Sequence, residues 1–461
     1  MAALQSVLQS IDDNLDASVD RLFDLLRIKS ISTDPEFAGD CKKAAQTLIA
    51  DLNAIGFEAT LHDTPGHPMV VAHHDGPEGA PHVLFYGHYD VQPVDPIDLW
   101  DTPPFEPSIK EMPDGSKQML GRGTSDDKGQ LMTFVEACRA FKTETGGLPV
   151  KVTVFFEGEE ESGSPSLVPF LEKNRELLKA DFALVCDTGM WDRQTPAICT
   201  GLRGLLGEEI IIKAASRDLH SGMYGSAAAN PIRILNRILS GLHDEDGRCT
   251  VPGFYDGVPE TPDEIKEMWG NLGFSDAEFL GEVGLSVPAG ERGRSVLEQV
   301  WSRPTCEMNG IVGGYTGEGF KTVIPAIASA KVSFRLVGTQ DPHAIRKAFR
   351  AYVSDALPSD CSVEFIEHGA SSAVHLGYDM PAMKKAAAAL TEEWGKETAL
   401  TAMGGSIPVV GHFQEILGIE SLLVGFAQDD DRIHSPNEKY ELTSFHKGAR
   451  SWASILSALA G

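Results

Sequence analysis

Three consecutive glutamates in EGEEESGS (157–164) directly follow the apolar run VKVTVFF (150–156). Acidic runs of this kind are usually solvated turns, and this run alone favours that interpretation. Neighbouring carboxylates can also share chemical work, since one can bind a metal ion while the next accepts a proton from water. The other polar clusters of the chain therefore decide how the glutamates are interpreted.

Further candidate ligands lie next to strand-like or helix-like runs. His88 and Asp90 follow VLFY in GHYDVQP, Asp187 ends DFALVCD, and His434 lies in DRIHSPNEKY. Asp126 belongs to a pair of aspartates where the glycine-rich segment LGRGTSDDKGQ enters a predicted helix. All of these except His434 have a structural alternative. The H-x-D pair could form a hydrogen bond, the aspartates before the helix could cap it, and the aspartate that ends the strand could belong to a turn.

Nucleotide binding and nucleophilic catalysis are disfavoured. Gly121, Gly123 and Gly129 match neither G-x-G-x-x-G nor a Walker loop, and the adjacent aspartates would repel a phosphate. No G-x-S-x-G occurs, and no cysteine has an evident activating context. Histidine and carboxylate ligands without thiolates suit Zn²⁺, Mn²⁺ or Co²⁺. The candidates together therefore predict a two-metal site in which one carboxylate is shared.

The composition indicates a globular protein of more than one domain. The chain has 461 residues, which exceeds the usual size of one core. Its formal net charge of −28 disfavours nucleic-acid and membrane partners. Seven scattered cysteines without a C-x-x-C motif indicate a reducing, cytoplasmic location. No apolar stretch approaches the roughly 18–20 residues that a membrane span requires. The N-terminus is not expected to be a signal peptide, and its periodicity predicts an amphipathic surface helix.

The order of the elements predicts two kinds of domain. Strand-like and helix-like segments alternate over 45–200, which favours a layered α/β domain with a largely parallel sheet. Sites in such sheets gather beyond the carboxyl ends of the strands, where GHYD, EGEEES and CDTG all lie. The one-sided strands LLGEEIIIKAAS and KVSFRLVG predict a second, α+β domain. We therefore expect a split domain, 1–204 and 379–461, interrupted by an inserted domain, 205–378.

Taken together, the motifs resemble a family of co-catalytic metallopeptidases. This family includes carnosinase, cytosolic non-specific dipeptidase, aminoacylase, acetylornithine deacetylase and succinyl-diaminopimelate desuccinylase. DDKG, EEESGS and RDLHSG resemble its dipeptidase branch most. The matching stretches recur in order along most of the chain: GHYDVQP (87–93), GRGTSDDKG (121–129), FEGEEESGS (156–164), CDTGMW (186–191), SRDLHSG (216–222), KTVIP (321–325), GGSIP (404–408) and HSPNEKY (434–440).

The resemblance implies a role for each residue of the metal site. His88 and Asp187 would bind one ion, Glu161 and His434 would bind the other, and Asp126 would bridge them. Two divalent ions per subunit are expected, Zn²⁺ in first place and Mn²⁺ or Co²⁺ as alternatives. Without metal, such a cluster of carboxylates would be strongly self-repelling.

The resemblance also implies the remaining catalytic and substrate-binding residues. Asp90 would orient His88, Glu160 would be the general base, and Glu159 is expected to be an exposed acid. The family fold is a zinc-peptidase-like catalytic domain with a central mixed, largely parallel sheet and an inserted α+β lid and dimerisation domain. His220 of this lid would act across the interface of a homodimer. The substrate-contacting positions of the dipeptidase branch correspond here to Thr322, Arg335 and Ser406.

The sequence thus predicts a cytoplasmic, homodimeric two-metal hydrolase of dipeptides or small peptides. One alternative is an N-acyl amino acid deacylase, a carbamoyl-amino acid hydrolase or a carboxypeptidase on the same scaffold. Another is a catalytically inactive metal-binding or interaction protein. The presence of both Glu160 and Asp90 argues against this last alternative.

Overall fold

A computed structural model of the protein describes residues 2–405 and 407–461. The α-helices are α1 (Ala2–Asp13), α2 (Leu15–Leu26), α3 (Ala38–Ala54), α4 (Lys128–Thr145), α5 (Leu167–Lys173), α6 (Ser221–Tyr224), α7 (Pro231–Ser240), α8 (Asp263–Gly270), α9 (Asp276–Glu282), α10 (Val296–Trp301), α11 (Pro342–Asp355), α12 (Pro381–Trp394), α13 (Pro408–His412) and α14 (Leu442–Ala460). The strands are β1 (Glu58–His62), β2 (Met69–His74), β3 (His82–His88), β4 (Ser108–Glu111), β5 (Lys117–Leu120), β6 (Lys151–Glu157), β7 (Phe182–Val185), β8 (Ala197–Leu202), β9 (Gly204–Lys213), β10 (Leu219–His220), β11 (Thr305–Gly313), β12 (Val323–Ile324), β13 (Ile327–Leu336), β14 (Ser362–Ser371), β15 (Val374–His375), β16 (Ala399–Met403), β17 (Ser421–Leu423) and β18 (Lys439–Glu441).

The chain divides into two compact units. The first comprises Met1–Thr200, Leu376–Thr401 and His412–Gly461, and the second comprises Gly201–His375 and Ala402–Gly411. The second unit therefore interrupts the first in sequence. The short segment 402–411 belongs with this inserted unit, although most of the chain after residue 375 belongs to the first.

A mixed sheet forms the centre of the first unit, with the strand order β1-β2-β6-β3-β7-β17-β8. Strands β6, β3, β7 and β17 run parallel in its middle. Antiparallel pairs flank them on both sides. Strands β3, β6 and β7 are buried along nearly their whole length, as parallel strands covered on both faces usually are. This arrangement confirms the predicted α/β class with a mixed central sheet, and its parallel pairs are the ones next to the candidate ligands.

Helices of the first unit bury their apolar faces against one another and against the sheet. Instead of the single N-terminal helix that the periodicity predicts, two helices form, α1 and α2, and both pack on α4. The aromatic rings of Phe85 on β3 and Phe134 on α4 are stacked with centroids 3.7 Å apart. Trp452 of α14 meets both rings edge-on. None of the helices in the described part of the chain combines the length and the apolar character that a membrane span requires.

The second unit is an antiparallel sheet covered by helices. Its strand order is β11-β13-β9-β14, and α7 and α11 pack on it. Every second residue of β9 is buried and the residues between them are half-buried or exposed, because one face covers the core and the other does not. Leu206, Ile210, Phe334 and Phe349 are among the fully buried side chains of this core. The α+β class expected for the inserted segment is thus confirmed.

Candidate metal centre

Three candidate ligands lie at the carboxyl ends of adjacent parallel strands. His88 is the last residue of β3, and Glu161 lies in a short 3₁₀ turn directly after β6. Tyr86 of β3 is paired with Val185 of β7, so the same register continued by two residues brings Asp187 alongside His88. Parallel strands present their carboxyl ends at one edge of a sheet, which is where sites of open α/β folds are found.

Asp126 lies between the two histidines. Its Oδ1 is 3.0 Å from Nε2 of His88, and its Oδ2 is 2.9 Å from Nε2 of His434. The same nitrogen of His434 is 3.1 Å from Oε2 of Glu161. Two groups of metal-ligating atoms result, and within each group the atoms lie within 4.8 Å of one another: His88, Asp126 and Asp187 form the first, and Asp126, Glu161 and His434 form the second.

The electrostatic environment of the cluster favours positive charge. Hydrogen bonds that His434 donates to Asp126 and Glu161 raise the pKa of His434 to about 10. Burial disfavours the charged form of His88, but hydrogen bonds to Asp126 and Asp90 still hold its pKa well above the ordinary value. Burial and the negative charge of Asp126 raise the pKa of Asp187. Each of these shifts reflects an excess of negative charge, which bound cations would offset, and nitrogen and oxygen donors suit Zn²⁺, Mn²⁺ and Co²⁺.

Asp90 contacts residues of both ligand groups. Nδ1 of His88 lies 3.1 Å from the carbonyl oxygen of Asp90 and 3.4 Å from its Oδ1. The other carboxylate oxygen of Asp90 accepts a hydrogen bond of 3.0 Å from the backbone N–H of Glu161. A histidine whose Nδ1–H is held in this way presents Nε2 to a metal ion. The geometry therefore suits the orienting role expected for Asp90.

The second aspartate of the DD pair is bound to the sheet rather than to the helix. Asp127 occupies the N-cap position of α4, but its side chain makes no capping hydrogen bond. Instead its Oδ2 accepts a hydrogen bond of 3.0 Å from the backbone N–H of His88. Both side chains of the pair thus contact His88 and do not cap the helix.

The three glutamates of the opening motif have different environments. Glu160 is half-buried, and burial together with the charge of Glu161 raises its pKa even though His88 opposes the shift. Glu159 is only 2% exposed, which shows that the expectation of an exposed acid is wrong. Its Oε1 accepts a hydrogen bond of 2.8 Å from the N–H of His67, and its Oε2 accepts one of 3.0 Å from the N–H of Ser166. Two other loops bury this carboxylate, and their contacts cannot be predicted from the acidic run by itself.

The predicted substrate-binding residues belong to the second unit. His220 is exposed at the end of β10, and its Nδ1 accepts a hydrogen bond of 2.9 Å from the N–H of Gly222. Thr322 lies next to it, since β10 pairs with β12. Arg335, on β13, is half-buried and lines a cavity of about 500 Å³ within this unit. Ser406 lies outside the described residues.

Several side chains around the candidate ligands were not predicted from the sequence. Nε2 of Gln92 donates a hydrogen bond of 2.7 Å to Oε2 of Glu161. Asp431 accepts hydrogen bonds from Ser125 at 2.7 Å and from Lys439 at 2.6 Å, which fixes the loop of His434 to the loop of Asp126. Gln92 lies inside the GHYDVQP motif and could have been considered for that reason. Nothing in the sequence indicated a role for Asp431, because the acidic stretch DDDR is typical of a solvated loop.

This architecture, a mixed α/β sheet with two overlapping groups of histidine and carboxylate ligands at its carboxyl edge, is that of a metallopeptidase. The chain belongs to peptidase family M20/M25/M40, whose profile matches residues 84–458. The resemblance seen in the motifs is therefore confirmed, and so is the assignment to a family of metal-dependent hydrolases.

Relatives along the full length agree with this assignment. The Cys-Gly metallodipeptidase DUG1 of Candida albicans is 30% identical over 474 residues, which cover 98% of this chain and 96% of the relative. The crystal structure of human carnosine dipeptidase 1 matches with a TM-score of 0.76 and 27% identity over 100% of this chain and 99% of that one. An M20 metallo-carboxypeptidase from Sulfolobus solfataricus matches with a TM-score of 0.78 and 31% identity over 96% of this chain and 99% of that one.

Proposed function

We propose that the protein is a two-metal dipeptidase that hydrolyses the amide bond of dipeptides or other small peptides. The observation that carries the proposal is the position of Asp126, whose two carboxylate oxygens face the two histidines of the two ligand groups. His88 and Asp187 would hold one cation, Glu161 and His434 the other, and Asp126 both. Two divalent cations, Zn²⁺ in first place and Mn²⁺ or Co²⁺ as alternatives, would activate a water molecule and polarise the scissile carbonyl.

Glu160 would act as the general base. It adjoins Glu161 but is absent from both ligand groups, so its carboxylate is available for proton transfer. Burial and neighbouring carboxylates raise its pKa, which brings a carboxylate closer to the basicity that a base needs near neutral pH. After accepting the proton of the attacking water, Glu160 would deliver it to the leaving nitrogen of the peptide. Asp90 would hold His88 in the orientation and tautomer that the site requires.

Arg335 would bind the carboxylate of the substrate. It shares its cavity with Arg203, whose pKa is lowered to about 10 by burial and by the positive charge of Arg335. Two guanidinium groups in one cavity favour a bound anion, although Glu307 also lines this cavity and partly offsets their charge, and a planar guanidinium matches a carboxylate. Thr322 and Ser406 would add further substrate contacts.

A homodimer in which His220 reaches the active site of the partner subunit is part of this proposal. The edge strand β11 and the loop after it expose Met308, Ile311, Val312 and Phe320, the last of them 90% exposed. An exposed edge strand with apolar side chains is a surface that a second copy can cover. The imidazole of His220 would then stabilise the negative charge that develops on the carbonyl oxygen. A cytoplasmic location is also proposed, which is supported by seven scattered cysteines that form no C-x-x-C motif.

The second candidate function is carboxypeptidase activity, and the Sulfolobus relative is the observation that favours it. Deacylase and carbamoyl-amino acid hydrolase activities remain alternatives on the same scaffold. The deciding experiment is a substrate panel with metal-reconstituted protein: free dipeptides, the same dipeptides with blocked amino groups, longer peptides and N-acyl amino acids. A dipeptidase cleaves the free dipeptides best, whereas a deacylase or carboxypeptidase prefers the blocked or longer substrates. Absence of any turnover would favour the inactive metal-binding protein.

A further inference from the structure

A buried glutamate outside both ligand groups holds the peptide that carries Asp126. Glu438 is fully buried. Its Oε1 accepts hydrogen bonds from the backbone N–H groups of Asp126 at 3.1 Å and Ser125 at 3.0 Å. Its Oε2 accepts one of 2.9 Å from the N–H of Gly123. The loop before α4 is therefore wrapped around a single carboxylate, and that carboxylate sets the position of the Asp126 backbone.

Arg122 completes the arrangement and extends it to a third segment. Its Nη1 donates to Oε2 of Glu438 at 2.7 Å, and both side chains are almost completely inaccessible to solvent. Its Nη2 donates to the carbonyl oxygen of Pro93 at 2.9 Å, in the segment that follows His88. The ion pair thus connects the segments that carry His88, Asp126 and His434.

We propose that Glu438, paired with Arg122, is a positioning residue for the two-metal site. It fixes the Asp126 peptide so that the two oxygens of that side chain face different histidines. Glu438 itself has no free oxygen for a cation, because each of its oxygens already accepts two N–H groups. This inference rests on the proposed function, since it assigns a role in holding the metals to a residue that does not touch them.

The substitution Glu438→Gln tests the role with the smallest change of shape. An amide in place of the carboxylate must direct its NH₂ group at two of the four N–H donors, so the Asp126 loop is displaced. Glu441→Gln is the matched control. Glu441 is the last residue of β18, which begins directly after Glu438; it is also buried, accepts hydrogen bonds from Gln118 and Lys439 and pairs with Arg193, but none of these groups belongs to the loop of Asp126.

The readout is metal affinity, measured by competition with a chromophoric chelator for Zn²⁺ and Mn²⁺. Positioning contacts of this kind typically change metal affinity about 10–100-fold. We expect Glu438→Gln to lower the affinity for both ions at least about tenfold, because both ions share Asp126. The affinity of Glu441→Gln should stay within about twofold of wild type. With saturating Mn²⁺, kcat of Glu438→Gln should recover in part and KM should be unchanged.

Either of two results would overturn the inference: wild-type metal affinity in Glu438→Gln, or an equal loss in Glu441→Gln. Should Glu438→Gln fail to fold, Arg122→Lys decides in its place, because one ammonium group cannot reach both Glu438 and Pro93 in the fork geometry of a guanidinium. Arg122→Lys should also lower the affinity for both ions about tenfold, and unchanged affinity would overturn the inference. Wild-type protein that binds no metal would overturn the proposed function, and this inference with it.

Discussion

Nε2 of His434 lies 2.9 Å from Oδ2 of Asp126, although a whole inserted unit separates the two residues in sequence. His434 has a positive φ of 60°, a conformation that is uncommon for residues other than glycine and is often found at functional sites. The loop of His434 is thus held in an unusual backbone conformation that directs its imidazole at the shared carboxylate.

Metal removal should abolish activity. Dialysis against a chelator is expected to leave a folded, inactive protein, and Zn²⁺, Mn²⁺ or Co²⁺ should restore turnover with two ions bound per chain. Asp126→Asn should lose both ions, because its side chain belongs to both ligand groups, whereas Asp187→Asn should lose only one. Elemental analysis of the purified variants checks this. An active enzyme free of transition metal contradicts the proposal.

Glu160→Gln should separate catalysis from metal binding. Loss of a positioned base is expected to lower kcat by about 10³-fold or more while both ions stay bound. Glu161→Gln should instead lower the affinity for the ion that His434 would hold. Steady-state kinetics and metal analysis of the two variants provide the comparison. Equal loss of metal in both would show that the roles of the neighbouring glutamates have been assigned wrongly.

Glu159→Gln should destabilise the protein, although the sequence alone suggested a silent substitution. The buried carboxylate accepts N–H groups on both oxygens, and an amide would direct its own NH₂ group at one of them. We expect the free energy of unfolding to fall by about 1–3 kcal/mol, as for other buried groups left unpaired. Urea unfolding measures it. Glu106→Gln is the control, since Glu106 is exposed, and a loss of equal size there would contradict the argument.

Glu136 should make stability dependent on pH in the acid range. It is buried on α4, and Arg21 donates to it at 2.6 Å and 2.8 Å. Burial alone would raise its pKa, but the hydrogen bonds from Arg21 prevail and leave the pKa below the ordinary value of about 4.5. Since the folded state holds the proton less tightly than the unfolded state, this contribution is complete above the unfolded pKa and is lost as the pH falls through the folded pKa.

The measurement is urea unfolding of wild type and Glu136→Gln between pH 7 and pH 3. The difference in the free energy of unfolding should be about 1.5–3 kcal/mol near neutrality and should shrink as the solution becomes acidic. Glu144→Gln, an exposed position on the same helix, should show a difference near zero at every pH. A difference for Glu136→Gln that stays constant with pH would mean that its charge does not contribute.

His220→Ala should lower kcat by about 10²–10³-fold with unchanged metal content, the effect expected for loss of one oxyanion-stabilising donor. His343→Ala, an exposed histidine of the same unit, is the control and should be silent. Mixed dimers test whether His220 acts across the interface. Subunits with His220→Ala keep the metal site and subunits with Glu160→Gln keep the histidine, so a heterodimer contains one complete site. Purified heterodimers that form but remain inactive would exclude action in trans.

The types and spacing of the polar residues were sufficient to predict the family, the α/β class and the candidate ligands. His88, Glu161 and Asp187 follow buried strands, and the edge at which parallel strands end is common to all of them, so proximity follows from local pattern and general topology. The division of labour between Glu160 and Glu161 came from the family resemblance, and it stays a prediction until the variants are measured.

Only the tertiary structure determined how the acidic residues next to these ligands are used. Glu159 and Glu438 have the composition of solvated turns, yet both are buried and surrounded by N–H donors from segments distant in sequence. Whether a carboxylate is solvated, binds a cation or organises a loop depends on which backbone groups point at it. Those groups belong to other segments, which local sequence patterns do not specify, and only the packed fold brings them together.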